Sequence, residues 1–172
     1  MKWSVIADAR DVGGPRDNRV VLFGHRGRLS SRPVLDTSSA VSKWMAPSAA
    51  GAREAVYILA LTDRRRLAGL FVASLGAVAA TGFDAPSGFV PMLQVALLLR
   101  APMVIVVHNH PSGDPTPSAE DVVLTERITA TARSIGVELV DHVILALDPE
   151  RREVLSFSFS DAGLLERMRR TR

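Results

Sequence analysis

Residues Met103–Val107 read M-V-I-V-V, an unbroken apolar run whose last four members are all β-branched. A strand with one wet face alternates apolar and polar residues, so an uninterrupted run of this kind fits a strand buried on both faces. A strand covered on both faces needs layers above and below it. The flanking sequence can supply them. Upstream, Ser87–Arg100 has a plausible N-cap in Ser87, a tolerable first-turn Pro91, and Met92, Val95, Ala96 and Leu99 on one helical face. Downstream, Ser118–Ser134 reads as a second long helix with Val122, Val123, Ile128 and Ala132 in its apolar set, stopped by Gly136. At 172 residues the chain suits a single domain with one core. The expected fold class is α/β: a mixed sheet flanked by helices, in two or three layers.

The remaining elements follow from local signals. Thr37 or Ser38 can cap a short helix carrying Val41, Trp44 and Met45, with Pro47 just beyond it. Ala55–Leu61 and Leu67–Ser74, joined by the polar Thr62–Arg66, read as a hairpin. Val137–Leu147 and Val154–Phe159 read as strands around a turn at Asp148-Pro149. Residues 1–33 are rich in Gly, Arg and Ser, with Val20–Phe23 as an edge strand and the rest as loose loop. The chain thus divides into a basic N-terminal extension (1–33), a domain (34–160) and a basic C-terminal tail (161–172).

Composition removes several kinds of chemistry. There is no cysteine, so disulfides, thiolate nucleophiles and cysteine-ligated zinc are excluded, and any metal falls to His, Asp or Glu. The start of the chain meets Asp8 too soon for a signal peptide, and Leu67–Phe83, though uncharged, is too short and glycine-rich to span a membrane. A cytoplasmic protein is expected. The formal charge of +3 is unevenly placed, with seven Lys/Arg against three Asp in residues 1–33 and four Arg against Glu166 in residues 162–172. Such ends can contact nucleic acid, but no aromatic residues interleave with the arginines as base-stacking surfaces require.

The central strand runs into H-N-H-P-S-G-D-P-T-P-S-A-E-D, His108 to Asp121. Alternate residues of a strand point the same way, so His108 and His110 share one face and Asn109 takes the other. With Ser118 as N-cap, Asp121 is the third helical residue and returns its carboxylate toward the strand end. Pro111, Pro115 and Pro117 restrict the backbone between them. Two neutral imidazoles and one carboxylate leave a tetrahedral position open, the pattern of a catalytic zinc. Ser118-x-x-Asp121 is equally a capping box, in which both residues satisfy backbone N–H groups; capping alone does not account for two histidines on one face.

This constellation resembles the metal motif of the JAB/MPN (JAMM) metallopeptidases, and HNHPSGDPTPS-x-x-D is similar to their RadC branch in particular, over about Val34–Phe159. The resemblance implies the cytidine-deaminase-like JAB/MPN architecture, Zn2+ on His108, His110 and Asp121, Ser118 stabilising a tetrahedral intermediate, and an upstream glutamate as general base. Glu54 is the one glutamate before Glu120, and it precedes the apolar run Ala55–Leu61 as the family's base does. His142, in Val140-Asp141-His142-Val143, resembles the family's Asp-His pair, and His142 and Asn109 are candidates to support the ligands from behind. His25, among arginines, reads as surface.

The match has gaps. Pro86-Ser87-Gly88 stands where RadC-like chains commonly carry Pro-Arg-Glu, and Leu70-Phe71 where an acidic residue is common. Residues 1–33 are too short for the helix-hairpin-helix region of longer RadC-like chains. The first reading is a zinc-dependent hydrolase of peptide or isopeptide bonds acting on a peptide or protein. A nucleic-acid accessory protein of the kind the family's DNA-repair label suggests, and a non-catalytic MPN scaffold, are the alternatives.

Overall fold

A computed structural model describes residues 3–8, 21–25, 32–75, 93–94 and 96–170, with side chains from residue 32 onward except at 72–75. Its seven strands are β1 (Trp3–Asp8), β2 (Val21–His25), β3 (Ala55–Leu61), β4 (Leu67–Leu75), β5 (Met103–His110), β6 (Glu138–Leu147) and β7 (Val154–Ser158). The helices are α1 (Ser38–Met45), α2 (Ala119–Ser134) and α3 (Leu164–Arg170), with a further helical segment within residues 93–98.

The strands form one sheet in the order β1-β2-β4-β3-β5-β6-β7. Neighbours are antiparallel except β5 and β6, which run parallel because α2 carries the chain back between them. This is the expected mixed sheet, and Met103–Val107 lies inside it with Val104, Ile105, Val106 and Val107 at most 1% exposed. Alternate residues feed two cores. Val104 and Val106 pack on one face with Leu93, Ala96, Leu124, Ile128, Ala132 and Leu165, under α2, α3 and the 93–98 segment. Ile105 and Val107 pack on the other with Leu35, Val41 and Met45, under α1. The arrangement is therefore three-layered.

Local chemistry sets the boundaries. Thr37 caps α1 by accepting the Ala40 N–H at 3.1 Å. Gly136, at φ +73°, ends α2 in a Schellman turn, with Val137 N–H on Ala132 O and Gly136 N–H on Arg133 O. Among the described residues no helix is long and apolar enough to cross a membrane.

Three details differ from the expectations. The expected edge strand is an inner one: β2 lies between β1 and β4, and β1, in a stretch expected to be loop, is the edge. Val123 is 45% exposed and Leu124 takes its place in the core, because the face of α2 turned to the sheet is the one carrying Asp121, Thr125, Ile128 and Ala132. The C-terminal segment is not a free tail. In α3, Leu165 is buried and Leu164 and Met168 pack on the core, while Arg169 bonds Glu138 Oε1 at 2.9 Å and Leu139 O at 2.6 Å. Of the expected helix over 87–100, Leu93 and Ala96 are buried and Leu99 packs against the core; Ser87, Pro91, Met92, Val95 and the Pro86-Ser87-Gly88 departure lie outside the described residues.

Candidate metal centre

β5 ends at the site. His108 and His110 point to the α2 side, their Nε2 atoms 2.8 Å apart, and Asn109 points to the α1 side. Asp121 meets them from the first turn of α2: Oδ1 lies 3.2 Å from His108 Nε2 and Oδ2 3.4 Å from His110 Nε2. The fourth arrival is Glu54, immediately ahead of β3 and in phase with Val56 and Ile58, which face the same side. One ligand atom from each of Glu54, His108, His110 and Asp121 lies within 4.8 Å of all the others. Tetrahedral zinc with ligand distances near 2.0–2.1 Å spaces its ligands by roughly 3.3 Å, so the two histidines and Asp121 are close to binding geometry.

Ser118 and Asp121 do what a capping box requires and more. The Ser118 hydroxyl accepts the Asp121 N–H at 3.1 Å, and Asp121 Oδ2 accepts both the Ser118 N–H and the Ser118 hydroxyl, each at 2.8 Å. The cap thereby fixes the carboxylate of a candidate ligand. The capping reading holds, and the same bonds keep the Asp121 carboxylate beside the two histidines.

Behind the ligands runs a buried chain of hydrogen bonds. His108 Nδ1 is 2.7 Å from His142 Nε2, His142 Nδ1 is 2.6 Å from Thr125 Oγ1, and Thr125 Oγ1 is 2.5 Å from the backbone oxygen of Asp121. Its direction follows by elimination. A carbonyl oxygen only accepts, so the Thr125 hydroxyl donates there and accepts from His142 Nδ1–H. His142 is fully buried, and that burial holds its pKa well below the ordinary value, so the ring is neutral and Nε2 must accept from His108 Nδ1–H. His108 Nε2 therefore presents a lone pair to the centre. His110 reaches the same state by a shorter route, donating from Nδ1 to Asp114 O at 2.8 Å.

Inward-facing lone pairs on two rings, beside two carboxylates, suit a divalent cation. The charge balance agrees. Burial works against ionisation of Asp121, but when protons rather than a metal occupy the two Nε2 positions, hydrogen bonds from His108 and His110 outweigh it and hold the carboxyl well below the usual range. Hydrogen bonding to Asp121 raises the pKa of His110 against partial burial, and Glu54 adds a smaller pull.

Each predicted site residue is thus accounted for. Glu54, His108, His110 and Asp121 converge, with Ser118 on Asp121 and His142 behind His108. Asn109 is buried on the other face of β5, where Oδ1 accepts the Ala55 N–H at 2.9 Å and Nδ2 donates to Gly51 O at 3.2 Å and Arg53 O at 3.1 Å. His25 is the last residue of β2, and its side chain lies outside the described residues. Thr125 was not foreseen. It lies four residues after Asp121, one helical turn along the same face, and that periodicity was the available signal.

Residues 35–164 match the RadC-like JAB domain family. Among curated proteins, a UPF0758 protein of Rhodobacter capsulatus is 32% identical over 81% of this chain and 61% of its own length. Another from Carboxydothermus hydrogenoformans is 38% identical over 54% of the chain and 39% of the relative, and one from Thermotoga maritima is 50% identical over 43% and 31%. The chain therefore spans less than two thirds of the length of each of these relatives. The family match covers the sheet from β3 to β7, both layers and every residue of the metal centre, and the chain belongs to the RadC-like JAB domain family.

Proposed function

We propose that this domain is a zinc-dependent hydrolase of amide bonds, with His108, His110 and Asp121 holding the metal and Glu54 acting as general base. The observation that carries this reading is the position of Glu54. His108, His110 and Asp121 supply three ligands and leave a fourth position open, and a second carboxylate, from just ahead of a separate strand, stops within 4.8 Å of the ligand atoms. Bound at this site, zinc would supply the Lewis acidity that makes a water nucleophilic near neutral pH.

The chain's own groups divide the remaining work. Glu54 accepts a proton from the attacking water as its oxygen bonds to the carbonyl carbon, and returns that proton to the amine nitrogen as the C–N bond breaks. A carboxylic acid and an amine are the products. Ser118, exposed at the rim with its hydroxyl on Asp121 Oδ2, would turn that hydroxyl to the carbonyl oxygen as charge develops there. His142 and Thr125 keep the His108 ring in the tautomer and orientation that ligation requires.

The test uses a library of internally quenched peptides. The zinc-loaded protein is expected to cleave members of it, and Glu54→Gln to keep its zinc while losing about 10²-fold or more in turnover. A Glu54→Gln variant as active as the wild type, or a zinc-loaded wild type that cleaves nothing, contradicts the proposal.

A further inference from the structure

We infer that Asn109 is a positioning residue for Glu54: it clamps the loop Gly51–Ala55 to the end of β5 and so sets the distance between the base and the metal ligands. This inference rests on the reading of Glu54 as general base. Asn109 lies between the two histidine ligands in sequence and is fully buried, yet it faces away from them. A buried amide that makes no contact with the centre needs another reason for its place.

Its hydrogen bonds supply one. The β3–β5 ladder is last paired at Val56 and His108, so continued register would set Ala55 opposite Asn109. There the Asn109 side chain takes over from the backbone: Oδ1 accepts the Ala55 N–H, and the two Nδ2 hydrogens go to Gly51 O and Arg53 O. Only this orientation of the amide matches one donor and two acceptors. Arg53 and Ala55 are the immediate neighbours of Glu54. With the carbonyl of one and the N–H of the other held, the backbone of Glu54 is bracketed, and its side chain is directed to the opposite face, where the ligands are.

The loop is closed tightly on the amide. A Cβ built on Gly51 would sit 3.1 Å from Asn109 Nδ2, 3.2 Å from Arg53 O and 3.3 Å from Ser48 O, so an added methyl must displace one of them. His108-Asn109-His110 thus works on both faces of the sheet at once, presenting two ligands on one and anchoring the base from the other. The arrangement links base and metal through one rigid strand, where a displacement of about 1 Å can cost about 10²-fold in rate.

The experiment reads the position of Glu54 directly. The full chain is labelled with 13C at glutamate Cδ, loaded with Co2+, and the paramagnetic shift of the Glu54 signal is measured, assigned by its absence in Glu54→Gln. In the wild type that shift is expected to be large. Asn109→Ala should bind Co2+ at the wild-type stoichiometry while its Glu54 shift falls by half or more, and Asn109→Asp, which keeps the acceptor for Ala55 N–H, should lose less. Gly51→Ala, which replaces neither Asn109 nor Glu54 but crowds the clamp, should also change the shift and serves if Asn109→Ala does not fold. A wild-type shift in both Asn109→Ala and Gly51→Ala overturns the clamp. So does loss of Co2+ from Asn109→Ala together with the shift, since Asn109 would then act through the ligand strand. A wild-type protein that binds Co2+ with no shift at Glu54 overturns the general-base reading itself.

Discussion

His142 shows how much a single buried ring can determine. Both its nitrogens are engaged, burial keeps it neutral, and the Asp121 carbonyl at the far end of the chain through Thr125 dictates which nitrogen carries the hydrogen. Replacing it with leucine would leave His108 Nδ1–H and the Thr125 hydroxyl without their shared partner. His142→Leu should therefore bind zinc about 10- to 100-fold more weakly, measured by competition with a chromophoric chelator; unchanged affinity would show that the chain does not orient His108. His110 answers to pH instead. Because Asp121 raises its pKa above the ordinary 6.5, protons compete with metal for Nε2 from that raised value downward. Zinc affinity should be level above it and fall with acidification below it, by about tenfold per pH unit for one displaced proton, as followed by the same competition. A flat profile through that range would mean that His110 is not a ligand. The residues themselves were partly legible in the sequence. His-x-His on one strand face and Asp121 at the third helical position follow from local periodicity, whereas the tasks of His142 and Asn109 depend on partners 34 and more than 50 residues away.

At the scale of elements, α2 does two jobs with one turn. Its capping box satisfies backbone donors at the helix start and, with the same atoms, holds Asp121 toward β5. Ser118→Ala removes the hydroxyl's part in both, leaving only the backbone N–H of residue 118 on Asp121 Oδ2. Thermal or denaturant unfolding of the metal-free protein should show a loss of about 1 kcal/mol, the usual cost of an N-cap, and zinc should bind more weakly as well. Loss of stability with unaltered zinc affinity would reduce Ser118 to a cap. The sequence located this helix through Ser118 and Gly136 and placed Val122, Ile128 and Ala132 inward, but it counted Val123 with them where Leu124 is buried. The boundaries are written in capping residues. The facing is written in the sheet, which a helix sequence does not contain. Charge hid α3 in the same way: its arginines drew attention from Leu164, Leu165 and Met168, whose i, i+1, i+4 spacing is that of a helix lying on a core.

For the molecule as a whole, the sheet order explains why the site forms where it does. β3, β5 and β6 are neighbours, so Glu54 ahead of β3, the two histidines of β5 and His142 of β6 fall on one end of one face, and α2, the crossover between β5 and β6, delivers Asp121 and Thr125 to the same place. Continuous β-branched sequence announced the buried central strand. The hairpin also announced itself, whereas the order of strands, which joins Glu54 to the histidines, rests on pairings between distant segments; Glu54 was reached through family resemblance. The most direct test of the account is the zinc content of the purified full chain by mass spectrometry, in the wild type and in the variant with both His108→Ala and His110→Ala. About one zinc per wild-type chain and none in the double variant is the predicted result. Zinc undiminished in the double variant, or a wild type that takes up none when it is offered, would contradict it.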